Sequence, residues 1–187
     1  MGKLYFKYGA IGSSKTASCL MTKFNYEQKG FHVLLLKPMT PNDPNGNIVK
    51  SKVGFSQAEA ILVNKNDNME NIFLSYKSHV VLIDDAHLLT EMQVNQLHEI
   101  VDRYNVPVIC YGLMTDFTTH LYEGSKRLVE IAESLDEIKT VCTCGRKATV
   151  NARINANRRV VKTGEQVEFG TEDKYISLCY KCFTMLR

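Results

Sequence analysis

Along the first 141 residues, short apolar runs alternate with longer amphipathic stretches. His32–Lys37 (HVLLLK), His79–Ile83 (HVVLI) and Val106–Leu113 (VPVICYGL) are continuous apolar runs, the pattern of strands buried on both faces. Residues 3–9 and 137–141 predict two further strands. Helices are predicted over 15–29, over Ser56–Val63 with Ser56 as cap, over Thr90–Tyr104, and over Leu121–Leu135. In Thr90–Tyr104 the apolar face is expected to include Met92, Leu97, Ile100 and Val101. Residues 38–47 (PMTPNDPNGN) are rich in proline and asparagine and predict a mobile loop. Strand–helix alternation of this kind predicts a parallel sheet covered on both faces. At Cys142 the pattern breaks into short β-like pieces, polar turns and cysteines, which predicts a small second lobe. The expected division is 1–141 and 142–187.

The length of 187 residues suits one ordinary domain with a small appendage. Apolar residues make up 44% and charged residues 23%, the balance of a soluble globular protein. A formal charge of +3 is too small to argue for nucleic acid or membrane by itself. No stretch approaches the roughly 18 apolar residues of a membrane span. The opening MGKLYFKYGA lacks the apolar run and small-residue ending of a signal peptide, so a cytoplasmic protein is expected.

Gly9-Ala10-Ile11-Gly12-Ser13-Ser14-Lys15-Thr16 joins a strand to a helix. It matches the P-loop pattern except that serine stands at the second glycine, position 14. Backbone N–H groups in such a loop cradle phosphates at a helix N-terminus. Lys15 would reach the β- and γ-phosphates, and the Thr16 hydroxyl would hold Mg²⁺. A φ above zero at Ser14 would cost roughly 1–2 kcal/mol. Val80–Ile83 then ends in Asp84-Asp85-Ala86-His87, a Walker-B arrangement at a strand C-terminus. Asp84 would hold Mg²⁺ directly or through water, and Asp85 could serve as general base. His87 could contact nucleotide or be simply hydrogen-bonded.

Of six cysteines, Cys19 and Cys110 sit alone in apolar segments. Cys142-Thr143-Cys144 and Cys179-Tyr180-Lys181-Cys182 offer four thiolates in two pairs, the donor set of a closed structural Zn²⁺ site. Such a metal would fix a segment too small to fold on its own core. Spacing alone also permits iron. Redox chemistry at the C-x-x-C is disfavoured because it does not start a helix in a thioredoxin-like unit.

Taken together, these motifs resemble the type II thymidine kinases, especially the bacterial form. The stretches that carry the likeness are Tyr8–Thr16, Asp84-Asp85, Cys110–Phe117, Glu123-Gly124-Ser125, Lys139–Ala148 and Gly164–Gly170, continuing to Tyr175 and Cys179. It covers residues 3–183 in order, and its Cys-x-Cys-Gly-Arg-Lys-Ala segment is highly specific. The resemblance implies an α/β, P-loop NTPase-like parallel sheet flanked by helices, with a C-terminal zinc-binding β lobe. It implies transfer of the ATP γ-phosphate to the 5′-hydroxyl of thymidine, with Mg²⁺ and a structural Zn²⁺, and a homotetramer. Residues 9–16 and 84–87 would hold ATP and Mg²⁺, and Asp85 would be the base. A loop called the lasso, about Glu165–Tyr175, would close over the base of thymidine. Phe117, Phe169, Gly170, Thr171 and Tyr175 would form that pocket.

The departures from the family lie where the chemistry is. The family has glycine at Ser14, glutamate at Asp85, glutamine at His87, a second glycine at Thr171 and arginine at Met114. For the family's Asp-Arg pair the nearest match is Asp43-Pro44. A base one methylene short is misplaced, and about 1 Å of misplacement can cost on the order of 100-fold in rate. The alternative reading is therefore a catalytically impaired, nucleotide-binding relative of these kinases. A third is a nucleic-acid-bound ATPase, based on Arg146, Lys147, Arg153, Arg158, Arg159 and Lys162. The lack of stacking aromatics between them argues for a solvated surface instead.

Overall fold

The computed structural model describes residues 1–186 except Asn42, Val53, Phe55, Arg158 and 167–173, and only the backbone of Lys174. Its centre is a six-stranded sheet in the order β5-β2-β6-β7-β1-β8. These strands are β1 (Leu4–Tyr8), β2 (Val33–Pro38), β5 (Ile61–Val63), β6 (Val80–Ile83), β7 (Val108–Gly112) and β8 (Ser134–Glu137). Every pairing in it is parallel. Parallel strands need covered crossovers, which explains the apolar runs: in β2, Leu34 and Leu36 enter one core and Leu35 the other. One face carries α2 (Met69–Tyr76), α3 (Glu91–Tyr104) and α4 (Glu123–Ile131), packed through Phe73, Leu97, Ile100 and Leu128. The opposite face carries α1 (Lys15–Glu27), and Val49 of the hairpin β3 (Ile48–Lys50)–β4 (Gln57–Glu59) joins the core there.

Three elements differ from the pattern-based expectation. Ser56–Val63 is not a helix but β4 followed by β5. Gln57 and Glu59 are exposed while Ala58 and Ala60 pack inward, a period of two, and Leu36 pairs with Ile61 in the sheet. Tertiary pairing thus overrides the helix propensity of Gln, Ala and Glu. The helix expected over Leu121–Leu135 spans only Glu123–Ile131, and the last strand begins at Ser134 rather than 137. Leu135 keeps helical spacing from Leu128 and Ile131, but it sits half-exposed on the edge strand beside Phe6. Helix α2 falls in a stretch the apolar pattern leaves unassigned.

Local chemistry sets the ends of the helices. Thr90 and Gln93 form a reciprocal capping box at α3, and the Gln93 amide also donates to Asn64 O at 2.7 Å. Met92, expected on the buried face of α3, is exposed, and Val94 takes that place.

Residues beyond the sheet build a separate two-stranded antiparallel unit, β9 (Val150–Ile154) with β10 (Lys174–Leu178), followed by α5 (Tyr180–Met185). Its core is small: Ala148, Val150, Ala152, Leu178 and Phe183 beside Cys142 and Cys179. No helix among the described residues is long and apolar enough to cross a membrane.

Candidate active site

The cleft lies at the C-terminal ends of β1, β6 and β7 and has a volume of about 540 Å³. Gly9 leaves β1 into the phosphate loop. A Cβ there would stand 2.3 Å from Ile138 O and 2.4 Å from Ser13 Oγ, so only glycine fits. Ser14 has φ 61° and ψ 27°, so the serine sits in the left-handed region, the strained case anticipated from the sequence. Lys15 follows as the first residue of α1, and its Nζ donates to Ala10 O at 2.8 Å and Ser13 Oγ at 3.3 Å. Burial pushes the Lys15 ammonium down to about 8, against the attraction of Asp85 and Asp84.

Thr16 Oγ1 donates to Asp84 Oδ2 at 3.0 Å, joining the phosphate loop to the end of β6. Asp84 is buried, and burial followed by the neighbouring Asp85 carboxylate raises it to about 7. Asp85 is different: φ is 54°, and its side chain is 45% exposed along the cleft. Aspartate tolerates left-handed backbone better than most residues, which suits the shorter acid at this position. Next in the chain, Ala86–Leu88 form a 3-10 turn against α4. A Cβ on Gly124 would lie 2.6 Å from Ala86 O, so Gly124 permits that approach.

His87 is buried with its ring against Tyr122 at 4.6 Å, and Nδ1 accepts from Leu113 N at 3.3 Å. Burial takes it down to about 4 despite Asp85, so the ring is neutral at physiological pH. It lines the cleft through packing and fixes the start of the loop after β7.

The opposite wall is built from that loop and the second lobe. Phe117 is buried, with the Arg153 guanidinium 5.4 Å from its ring centre. Tyr175 on β10 lines the same wall. Phe169, Gly170 and Thr171 lie outside the described residues. Sequence reasoning missed three residues that organise this wall. Asp116 accepts from Thr118 N at 2.8 Å, Thr118 Oγ1 at 2.6 Å and His120 N at 3.1 Å. Burial opposes its charge, but the hydrogen bonds from Thr118, Gln166 and His120 outweigh that, and the carboxyl lies below its ordinary range. Gln166, the last described residue before 167–173, donates to Asp116 Oδ2 at 2.9 Å. Asn151 on β9 bonds both Ile11 N and Thr115 O. Asp116 and Gln166 lay within stretches with a sequence signal; Asn151 is one polar residue in a strand and carried none.

The loop after β2 is held rather than free. Lys37 Nζ pairs with Asp43 at 2.6 Å, with side chains 7% and 10% exposed, and donates to Gly46 O at 2.9 Å. Asp43 is thus committed to Lys37.

Away from the cleft, the Sγ atoms of Cys142, Cys144, Cys179 and Cys182 all lie within 4.8 Å of one another. Tetrahedral zinc with bonds of about 2.3 Å separates sulfurs by about 3.8 Å, and Cys144 and Cys179 stand at 3.6 Å. The backbone N–H groups of Cys144 and Cys179 draw the Cys142 thiol down, whereas the crowding of the other three thiols pushes Cys182 up, so the convergence of the sulfurs, not their protonation, marks the site. The cluster therefore fits a structural zinc. Cys179 is the N-cap of α5, so the C-x-x-C does start a helix, contrary to expectation. Four converging sulfurs, not helix position, distinguish a metal site from a dithiol here. Cys19 and Cys110 are buried, and burial, joined at Cys19 by the Asp84 and Asp85 carboxylates, pushes both thiols up, away from the reactive thiolate. Of the basic residues in 146–162, Arg153 is buried on Phe117, Lys147 is exposed but paired with Glu137, and Arg158 lies outside the described residues.

Residues 2–183 match the family model described as thymidine kinase. The chain is 41% identical over 183 residues to the thymidine kinase of Mannheimia succiniciproducens, covering 96% of this chain and 93% of that one. It is 38% identical over 187 residues to that of Zymomonas mobilis, covering 98% and 96%. With that of Rhodopirellula baltica it shares 37% over 183 residues, covering 96% and 86%.

Proposed function

The chain belongs to the thymidine kinase family, and from that premise we propose how its own residues carry the reaction. The enzyme transfers the ATP γ-phosphate to the 5′-hydroxyl of thymidine. The impaired, merely binding alternative is not favoured by relatives that match along nearly the whole chain.

One observation carries the assignment of roles. Lys15, the joined pair Thr16–Asp84 and the open carboxylate of Asp85 line one cleft at the strand ends. The N–H groups of the phosphate loop and Lys15 bind the phosphates of ATP. The Thr16 hydroxyl and Asp84 would hold Mg²⁺, which would supply positive charge to stabilise the phosphates. Asp85 accepts the proton of the 5′-hydroxyl as that oxygen attacks phosphorus. Its exposure on the cleft and its left-handed backbone, which aspartate tolerates, support that role over Asp84, which is buried against Thr16. His87, neutral and packed on Tyr122, shapes the wall and takes no part in the proton transfer.

Thymidine occupies the opposite end, against Phe117 and Tyr175, with Gln166 beside them; most of the expected lasso, about Glu165–Tyr175, lies outside the described residues. The Gln166–Asp116 bond supports this by anchoring the start of that segment. Residues 1–141 and 142–187 are two units that share the cleft, the second held by zinc on the four cysteines. A cytoplasmic homotetramer is the expected assembly, and exposed Met21 and Phe24 on α1 offer apolar surface for it. The function is tested by incubating the purified protein with MgATP and thymidine and following thymidine monophosphate. Formation of product dependent on both substrates is expected; its absence would overturn the reading.

A further inference from the structure

We infer that Asn151 is a positioning residue that holds the phosphate loop from the second lobe, so that affinity for nucleotide phosphates depends on a side chain of β9. Asn151 is 3% exposed, and both ends of its amide are committed. Oδ1 accepts from Ile11 N at 2.8 Å, and Nδ2 donates to Thr115 O at 2.7 Å. A buried amide satisfied on both sides has one orientation and is costly to disturb.

Most loop N–H groups of this kind face phosphate, but that of Ile11 is turned to β9. A second tether lies beside it: Thr140 Oγ1, just before the cysteine cluster, donates to Gly12 O at 3.4 Å. Two consecutive loop residues are therefore held from the 140–154 segment, at the point where Gly12 turns with φ 76°. Within the loop itself, the turn rests on Ser13 N to Ala10 O at 3.1 Å.

The two ends of the Asn151 amide are not equally important. The Thr115 loop has other anchors, in the Thr115–Leu121 bridge and the bonds around Asp116. The Ile11 N–H has Asn151. Removing the amide therefore releases the phosphate loop more than the nucleoside wall. The inference rests on the reading of Gly9–Thr16 as the ATP-phosphate site.

The test is calorimetric titration of the metal-loaded protein with ADP plus MgCl₂ and, separately, with thymidine. In Asn151→Ala the ADP dissociation constant is expected to rise at least about tenfold, and that for thymidine less than about threefold. Thr140→Val, which loses only the longer bond, is expected to weaken ADP by about two- to threefold. An Asn151→Ala protein that binds ADP within about twofold of wild type would overturn the inference. So would equal loss of both ligands together with loss of zinc, which marks collapse of the lobe. If Asn151→Ala does not fold, Thr140→Val decides, and unchanged ADP affinity there counts against the tether. Failure of the wild type to bind ADP would remove the phosphate-site reading itself; binding by the wild type with unaffected variants would remove only this inference.

Discussion

At the phosphate end of the cleft, each functional side chain sits on or next to the C-terminal end of a sheet strand. Gly9–Thr16 follow β1, and Asp84 and Asp85 follow β6. At the proposed nucleoside end, Phe117, Tyr175 and Gln166 come from loops and the small second sheet, and side-chain hydrogen bonds join Asn151 to Thr115 and Gln166 to Asp116 across 36 and 50 residues. The first region is rigid because parallel strands with both faces buried fix its backbone. The second is only as well placed as Asp116, Asn151 and four cysteines make it. Strained backbone occurs at both ends: Ser14 and Asp85 have positive φ beside the sheet, and Thr119, with φ 75°, has it in the loop between Asp116 and His120.

If that contrast is right, the largest effect comes from undoing the metal cluster. Cys179→Ser is expected to release zinc, whose apparent binding energy in small structural sites is about 10–16 kcal/mol. Hydrogen exchange should then show lost protection in Val150–Ile154 and Lys174–Leu178 while Val80–Ile83 stays protected. Equal loss in both regions would break the comparison. Next is Lys15→Ala, which should cut kcat/KM by about 10³-fold or more with little change in melting temperature. Asp116→Ala should raise the KM for thymidine by about tenfold, because it frees Gln166, and leave that for ATP within about threefold.

An effect on stability rather than on turnover separates His87 from the catalytic groups. Its folded-state value of about 4 lies below its ordinary 6.5, so the unfolded chain takes up the proton first as pH falls. Stability should therefore decline from about pH 6.5 down to pH 4, by about 3 kcal/mol in all. Denaturant midpoints for His87→Gln should be flatter over that window; an unchanged slope would place the titration elsewhere. The smallest effect sharpens the phosphate end alone. Ser14→Gly should stabilise the protein by about 0.5–1 kcal/mol by relieving the left-handed serine, measured as a rise in melting temperature.

The same contrast decides what the sequence made legible. His79–Ile83 and Val106–Leu113 read as strands because burial on both faces leaves a continuous apolar run. The phosphate loop, the Asp84-Asp85 strand end and the cysteine pairs read because their residues are adjacent in the chain. Ser56–Val63 misled because Ala, Glu and Gln favour helix, whereas the sheet edge at Leu36 pairs Ile61 as strand. Leu135 misled because helical spacing continued past the true end at Ile131. Asn151 was invisible because its partner Ile11 lies 140 residues away and no local pattern links them. The positive φ at Ser14 could be posed as a question from the sequence, but only the backbone answered it.

The most direct test of the account is a comparison of wild type with Asp85→Asn. Asparagine keeps the size of the side chain and tolerates the same left-handed backbone, but it cannot accept the hydroxyl proton. Initial rates of thymidine monophosphate formation and ADP affinity would be measured on both proteins. The account predicts a fall in kcat of at least about 100-fold with ADP affinity retained. An Asp85→Asn enzyme that turns over like wild type would contradict the assignment of Asp85 as the base.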